Sequence, residues 1–125
     1  MDKRYPWEQA AAVLPEPLRA GLRGLGADRL SELEEVRLRR GFPMTALLPG
    51  GEVDTDTPPI GEEELRQVLE NATQSSAHTA LDRVRQGFVT LRGGHRVGLC
   101  GSVVRRDGGI VTLRELSSLS IRVAR

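Results

Sequence analysis

Phe88-Val89-Thr90-Leu91-Arg92-Gly93-Gly94-His95-Arg96-Val97-Gly98-Leu99-Cys100-Gly101 is the stretch where the chain changes character. Phe88 to Leu91 is rich in the aromatic and β-branched residues that suit a pleated surface, and Arg92-Gly93-Gly94 is turn chemistry. His95 to Val104 then reads as a longer strand with Gly98 and Gly101 inside it. Asp107-Gly108-Gly109 signals a hairpin that brings Ile110 to Leu113 back, and Leu119, Ile121 and Val123 alternate with Ser120 and Arg122 as a last strand. The C-terminal part is therefore β.

Upstream the period is mostly helical. Trp7, Ala10, Ala11 and Leu14 share one face of a first short helix, and Pro15 and Pro17 break the chain. Leu18, Leu22 and Leu25 form a second stripe, weakened by Gly21, Gly24 and Gly26 at roughly 1 kcal/mol for each interior glycine. Residues 1–26 are thus expected as a peripheral helical segment ahead of an α+β unit over 27–125. A third helix is expected near Ala27 to Glu34. Val36-Arg37-Leu38-Arg39 alternates as a half-buried strand, Gly41-Phe42-Pro43 turns it, and Met44 to Leu48 is its partner, ended by Pro49-Gly50-Gly51. Asp54 to Pro59 reads as a loop. A helix opens at Gly61 with Glu62, Glu63 and Glu64 at its positive end, with Ile60 and Leu65 spaced as a hydrophobic staple and Leu65, Val68, Leu69 and Ala72 inward. A further helix near Ala77 to Gln86 buries Ala77, Leu81 and Val84. The order predicts an α+β fold, with helices on one face of a mostly antiparallel sheet.

With 125 residues the chain has length for one core, and with aromatics at 3% that core must be aliphatic. No run of about 18 apolar residues occurs, and the N-terminus has no apolar segment of the secretory kind. The single cysteine, Cys100, has no internal partner, which points to a reducing compartment. Net charge is +1, but residues 28–70 hold 11 acids against 5 arginines, whereas residues 83–125 hold 9 arginines against 2 acids. The halves therefore attract each other or different partners, or form two solvated faces of one domain.

No phosphate-binding G-x-x-x-x-G-K-[ST], G-x-S-x-G or H-E-x-x-H is present, so no catalytic motif of these kinds belongs to this chain. With His78 and His95 as the only histidines, a dedicated metal site is not expected. His95 and Cys100 stand five apart on one expected strand, on opposite faces and about 17 Å apart, which separates them as base and nucleophile. The glycines Gly93, Gly94, Gly98 and Gly101 admit a bulge or a close backbone approach, or let another surface approach with Arg96 presented beside it. The basic half suggests a nucleic-acid-binding module as the alternative function. Readers of single strands stack bases on exposed aromatics, and Phe88, the only aromatic after residue 80, is expected to be buried.

Gly87-Phe88-Val89-Thr90-Leu91, the run from Gly93 to Gly101, and Ser117-Ser118-Leu119-Ser120-Ile121-Arg122-Val123-Ala124-Arg125 resemble the stage III sporulation protein AA family, mother-cell ATPases of endospore-forming bacteria. Leu33-Glu34-Glu35-Val36-Arg37-Leu38-Arg39 with Gly41 and Pro43 is similar to the family's early strand pair, so the resemblance spans residues 14 to 125. It implies a non-catalytic assembly or regulatory domain, PAS-like as in pilus and secretion motors, ahead of a RecA-like ATPase domain outside these residues. On that resemblance this chain holds no cofactor, and ATP and Mg belong to the ATPase domain. The implied partners are that domain, neighbouring subunits of a hexamer and membrane proteins of the sporulation channel, with no nucleic acid and no membrane insertion. The implied location is the mother-cell cytoplasm, with recruitment to the membrane by partners. Arg96 and Arg122 are the candidates to face nucleotide in the assembly, the alternative being surface arginines in ordinary ion pairs. Gly93, Gly94, His95, Gly98 and Gly101 are the candidate interface.

Overall fold

In the computed structural model, residues 4–99 and 116–124 are described. Three short helices, α1 (Pro6–Ala11), α2 (Glu16–Arg23) and α3 (Ala27–Leu30), lead into strands β1 (Glu35–Arg39), β2 (Thr45–Leu48) and β3 (Gly51–Asp54). Helices α4 (Glu62–Thr73) and α5 (Ala77–Arg85) follow, then β4 (Phe88–Thr90), β5 (Arg96–Leu99) and β6 (Ser118–Arg122). The described strands form one sheet in the order β3-β2-β1-β6-β5-β4, with every neighbouring pair antiparallel.

Period-2 alternation organises both faces of this sheet. Val53, Ala46, Val36, Ile121, Val97 and Val89 stand in register as one apolar row crossing all six strands. They join a core built with Leu14 and Leu22 from the N-terminal segment, Leu65 and Leu69 of α4, and Leu81 and Val84 of α5. Each such leucine is worth about 1.5–3 kcal/mol once fully buried. The adjacent row, on the opposite face, reads Glu52, Leu47, Glu35, Arg122, Arg96 and Thr90. The row after it reads Asp54, Thr45, Arg37, Ser120, Gly98 and Phe88.

The expected α4 forms for the reasons its sequence carries. The Gly61 amide donates to Glu64 Oε1 at 2.7 Å, and Ile60 and Leu65 of the staple are both buried. Arg66 binds Glu63 and Glu70 along the exposed side, and Gln74 ends the helix in the left-handed region at φ 56°. Helix α5 is capped by Ser76, whose hydroxyl accepts from the Thr79 amide.

Three expectations need correction. Residues 1–26 were expected at the periphery, but Ala10, Ala11, Leu14, Leu18 and Leu22 belong to the same core cluster as the sheet. Gly21, which weakens α2 by propensity, is also what lets α2 lie against the loop after β3. A Cβ there would sit 2.3 Å from Thr57 Cγ2 and 3.2 Å from the Thr55 carbonyl. Secondly, although β2 ends where expected, the strand after Pro49-Gly50 was not anticipated. Pro49-Gly50 is a two-residue turn, with Leu48 opposite Gly51, that starts a third strand. The expected third helix likewise closes at Leu30, although Leu33 stays buried. Cys100, Gly101, the remainder of the strand to Val104, and the Asp107–Leu113 hairpin lie outside the described residues.

Candidate functional site

The Gly93-Gly94-His95 turn was expected to offer an interface, and the geometry gives it another task. Gly94 N–H donates to the Leu91 carbonyl at 3.0 Å, and Leu91 N–H donates to the His95 carbonyl at 2.6 Å, with Gly93 at φ +97° and Gly94 at φ +89°. Left-handed backbone at two successive positions favours glycine. His95 is 1% exposed, so it is a core residue rather than a surface one. Its Nδ1 accepts the Ala124 backbone N–H at 2.9 Å, which leaves Nε2 as the protonated nitrogen, donating to Gln9 Oε1 at 2.9 Å. The imidazole thus clasps α1 to the segment that leaves β6. Gly93 is needed beside it, because a Cβ there would lie 2.4 Å from Gln9 Oε1.

Burial holds the His95 pKa below its ordinary 6.5. The unfolded chain therefore binds the proton more readily than the native one, and protonation would also set an N–H of His95 against that of Ala124. The stabilisation is fully present above about pH 6.5 and is lost as the pH falls from there through the folded value. Thermal melts should show a lower Tm at pH 5.5 than at pH 7.5. His95→Gln should flatten that slope, and an equal slope in the variant would place the titration elsewhere.

Charge on the open face of the sheet is divided. Over β1, β2 and β3, Arg37 binds Glu35 at 2.6 Å and Glu52 at 3.0 Å, and Arg39 binds Glu52 at 2.6 Å. Thr45 donates to the same carboxylate at 2.5 Å. The Arg39 hydrogen bond, followed by that of Thr45, holds the Glu52 pKa down to about 2. Its contribution is present above about pH 4.5 and is lost as acid titrates the group toward pH 2. Glu52→Gln should cost about 0.5–1 kcal/mol at pH 7 in urea unfolding, and the difference from wild type should vanish near pH 2.

Over β4, β5 and β6 the face is basic. Arg96 and Arg122 stand directly opposite each other on β5 and β6, both exposed. Among the described residues, neither makes an ion pair with a carboxylate. Phe88 was expected to be buried, but it is 51% exposed, because β4 alternates and turns Val89, not Phe88, to the core. The Arg96 guanidinium lies over its ring, 4.4 Å from the centroid. Gly98 pairs regularly with both neighbouring strands and is not bulged. The fold therefore separates the expected interface residues: Gly93, Gly94 and His95 make the clasp, while Gly98 joins Arg96 and Arg122 on the open face. Phe88 is the member that sequence reasoning missed, and only the period-2 phase of β4 could have shown it. No helix among the described residues is long and apolar enough to cross a membrane.

The chain is similar to stage III sporulation protein AA of Bacillus subtilis (strain 168), 35% identical over 117 residues that cover 94% of this chain and 38% of that protein. Among solved structures it is similar to the X-ray structure of the Yersinia pseudotuberculosis ATPase DotB. That likeness has 13% identity and a TM-score of 0.49, over 85% of this chain and 29% of the other. The model of the family described as sporulation stage III, protein AA, matches residues 6–125, and the chain belongs to that family.

Proposed function

We propose that this chain is a non-catalytic assembly or regulatory domain, PAS-like in architecture, of a sporulation ATPase working in the mother-cell cytoplasm. The ATPase domain and its neighbours in a hexameric ring are its partners, and membrane proteins of the sporulation channel recruit the assembly. Family membership supports the setting, and the chain spans about two-fifths of the length of the curated relative it matches. One observation carries the role: the exposed, opposed pair Arg96 and Arg122 on the open sheet face. Like charges directly opposite on neighbouring strands are a local cost to folding. An anion supplied from outside offsets that cost, and a fixed guanidinium is what a transferred phosphoryl group needs. ATP and Mg are held by the partner domain, and this chain lends cations.

In the full-length protein, Arg96→Ala is expected to lower ATP turnover at least about tenfold without unfolding this domain. Unchanged turnover removes Arg96 from the role. The exposed Phe88 favours a second reading, a single-stranded nucleic-acid module, since stacking on an exposed ring is what such binding requires.

A further inference from the structure

We infer that Phe88, Arg96 and Arg122 form one phosphate-recognition site on the open face, in which Phe88 is the positioning residue that aims Arg96. The inference rests on the reading of the two arginines just given and adds a residue and a ligand chemistry to it.

Phe88 is one of only four aromatic residues in the chain, and it is half exposed. Its place is set by register. Phe88 pairs with Gly98 on β5, and Thr90 pairs with Arg96, so Arg96 is the diagonal neighbour of Phe88. Diagonal pairs are within reach of aromatic and long side chains. Gly98 leaves the surface beside the ring open, and an added Cβ there would already lie 3.7 Å from Phe88 Cβ. The guanidinium thus rests on the ring, which restricts a side chain that otherwise carries large rotamer entropy. Stacking uses the flat face of the guanidinium and leaves its edge N–H groups to donate. Arg122, opposite Arg96, adds a second cation, and Ser120 and Gly98 lie side by side in the next row. Two cations with their donors held on one surface, one of them pre-oriented, suit a multivalent phosphate group better than a single carboxylate.

The test titrates inorganic pyrophosphate into the chain and follows the arginine Nε–H signals by NMR. The Arg96 and Arg122 signals are expected to move together with one dissociation constant. Phe88→Leu keeps an apolar side chain but removes the π face, and it should weaken binding about fivefold. Phe88→Trp should retain the wild-type constant. Because Phe88 is exposed, both variants should melt with the wild type. If wild type and Phe88→Leu bind equally well, the positioning role is overturned while the arginine reading stands. If wild type gives no response at either arginine, both are overturned. A short oligo(dT) that binds at moderate salt more than about tenfold tighter than pyrophosphate would assign the face to nucleic acid and overturn the proposal.

Discussion

Gly21→Ala is expected to destabilise the fold by about 2–3 kcal/mol, although alanine is the better helix former by roughly 1 kcal/mol. The added Cβ would meet Thr57 Cγ2 at 2.3 Å, and Thr57 has no freedom to swing away. Its hydroxyl accepts the Met44 amide at 3.0 Å and lies 3.2 Å from the Thr55 hydroxyl, which itself donates to the Met44 carbonyl at 2.6 Å. Both threonines are buried, so turning Thr57 would leave a buried N–H without a partner. Thr57→Ser keeps the oxygen and deletes the offending methyl. In that background Gly21→Ala should cost less than about 1 kcal/mol or even stabilise, leaving only the 3.2 Å approach to the Thr55 carbonyl. Denaturant midpoints of the four proteins test it, and strict additivity would refute the steric account.

Gly93→Ala is expected to cost about 3 kcal/mol, from two sources. Backbone at φ +97° costs an L-residue about 1–2 kcal/mol, and displacing Gln9 from His95 costs about 1–3 kcal/mol for the donor left bare. A cycle with Gln9→Ala removes the nearer of the two groups that the new methyl would strike and leaves His95 Nε2 at 2.8 Å. Gln9→Ala alone should cost about 1–2 kcal/mol, and on that background Gly93→Ala should cost less than in the wild type, its backbone strain and the His95 contact remaining. Hydrogen exchange at the Ala124 amide gives a second readout. The amide donates to His95 Nδ1, so its protection should fall in Gly93→Ala and in His95→Phe alike.

Much of the fold was legible because local signals agreed with one another. The alternation Val36-Arg37-Leu38-Arg39 gave β1 its buried side, and Gly61 with Glu64, Ile60 and Leu65 marked the start of α4. The misses fell where a partner element or the phase of a short strand decided the outcome. Glu52-Val53 is too short and polar to announce a strand, and it exists because β2 offers it an edge. The glycines of α2 read as weakness until Thr57 is brought against Gly21. At the site, exposed arginines on strands were readable from alternation, whereas the burial of His95 was not, because its partners Gln9 and Ala124 are 86 and 29 positions away. Phe88 was misplaced by one step of phase at a three-residue strand.

Strand β6 is the final strand of the described chain, yet it occupies the middle of the sheet, between β1 and β5. Glu35 pairs with Arg122 and Arg39 with Ser118, so the central seam joins positions about eighty apart in sequence. During synthesis the early meander and the later hairpin must wait, each with an unsatisfied edge, until Ser118–Arg122 emerges to zip them together. Such non-local closure slows folding, and the waiting edges are the places where a nascent chain would pair with the wrong neighbour.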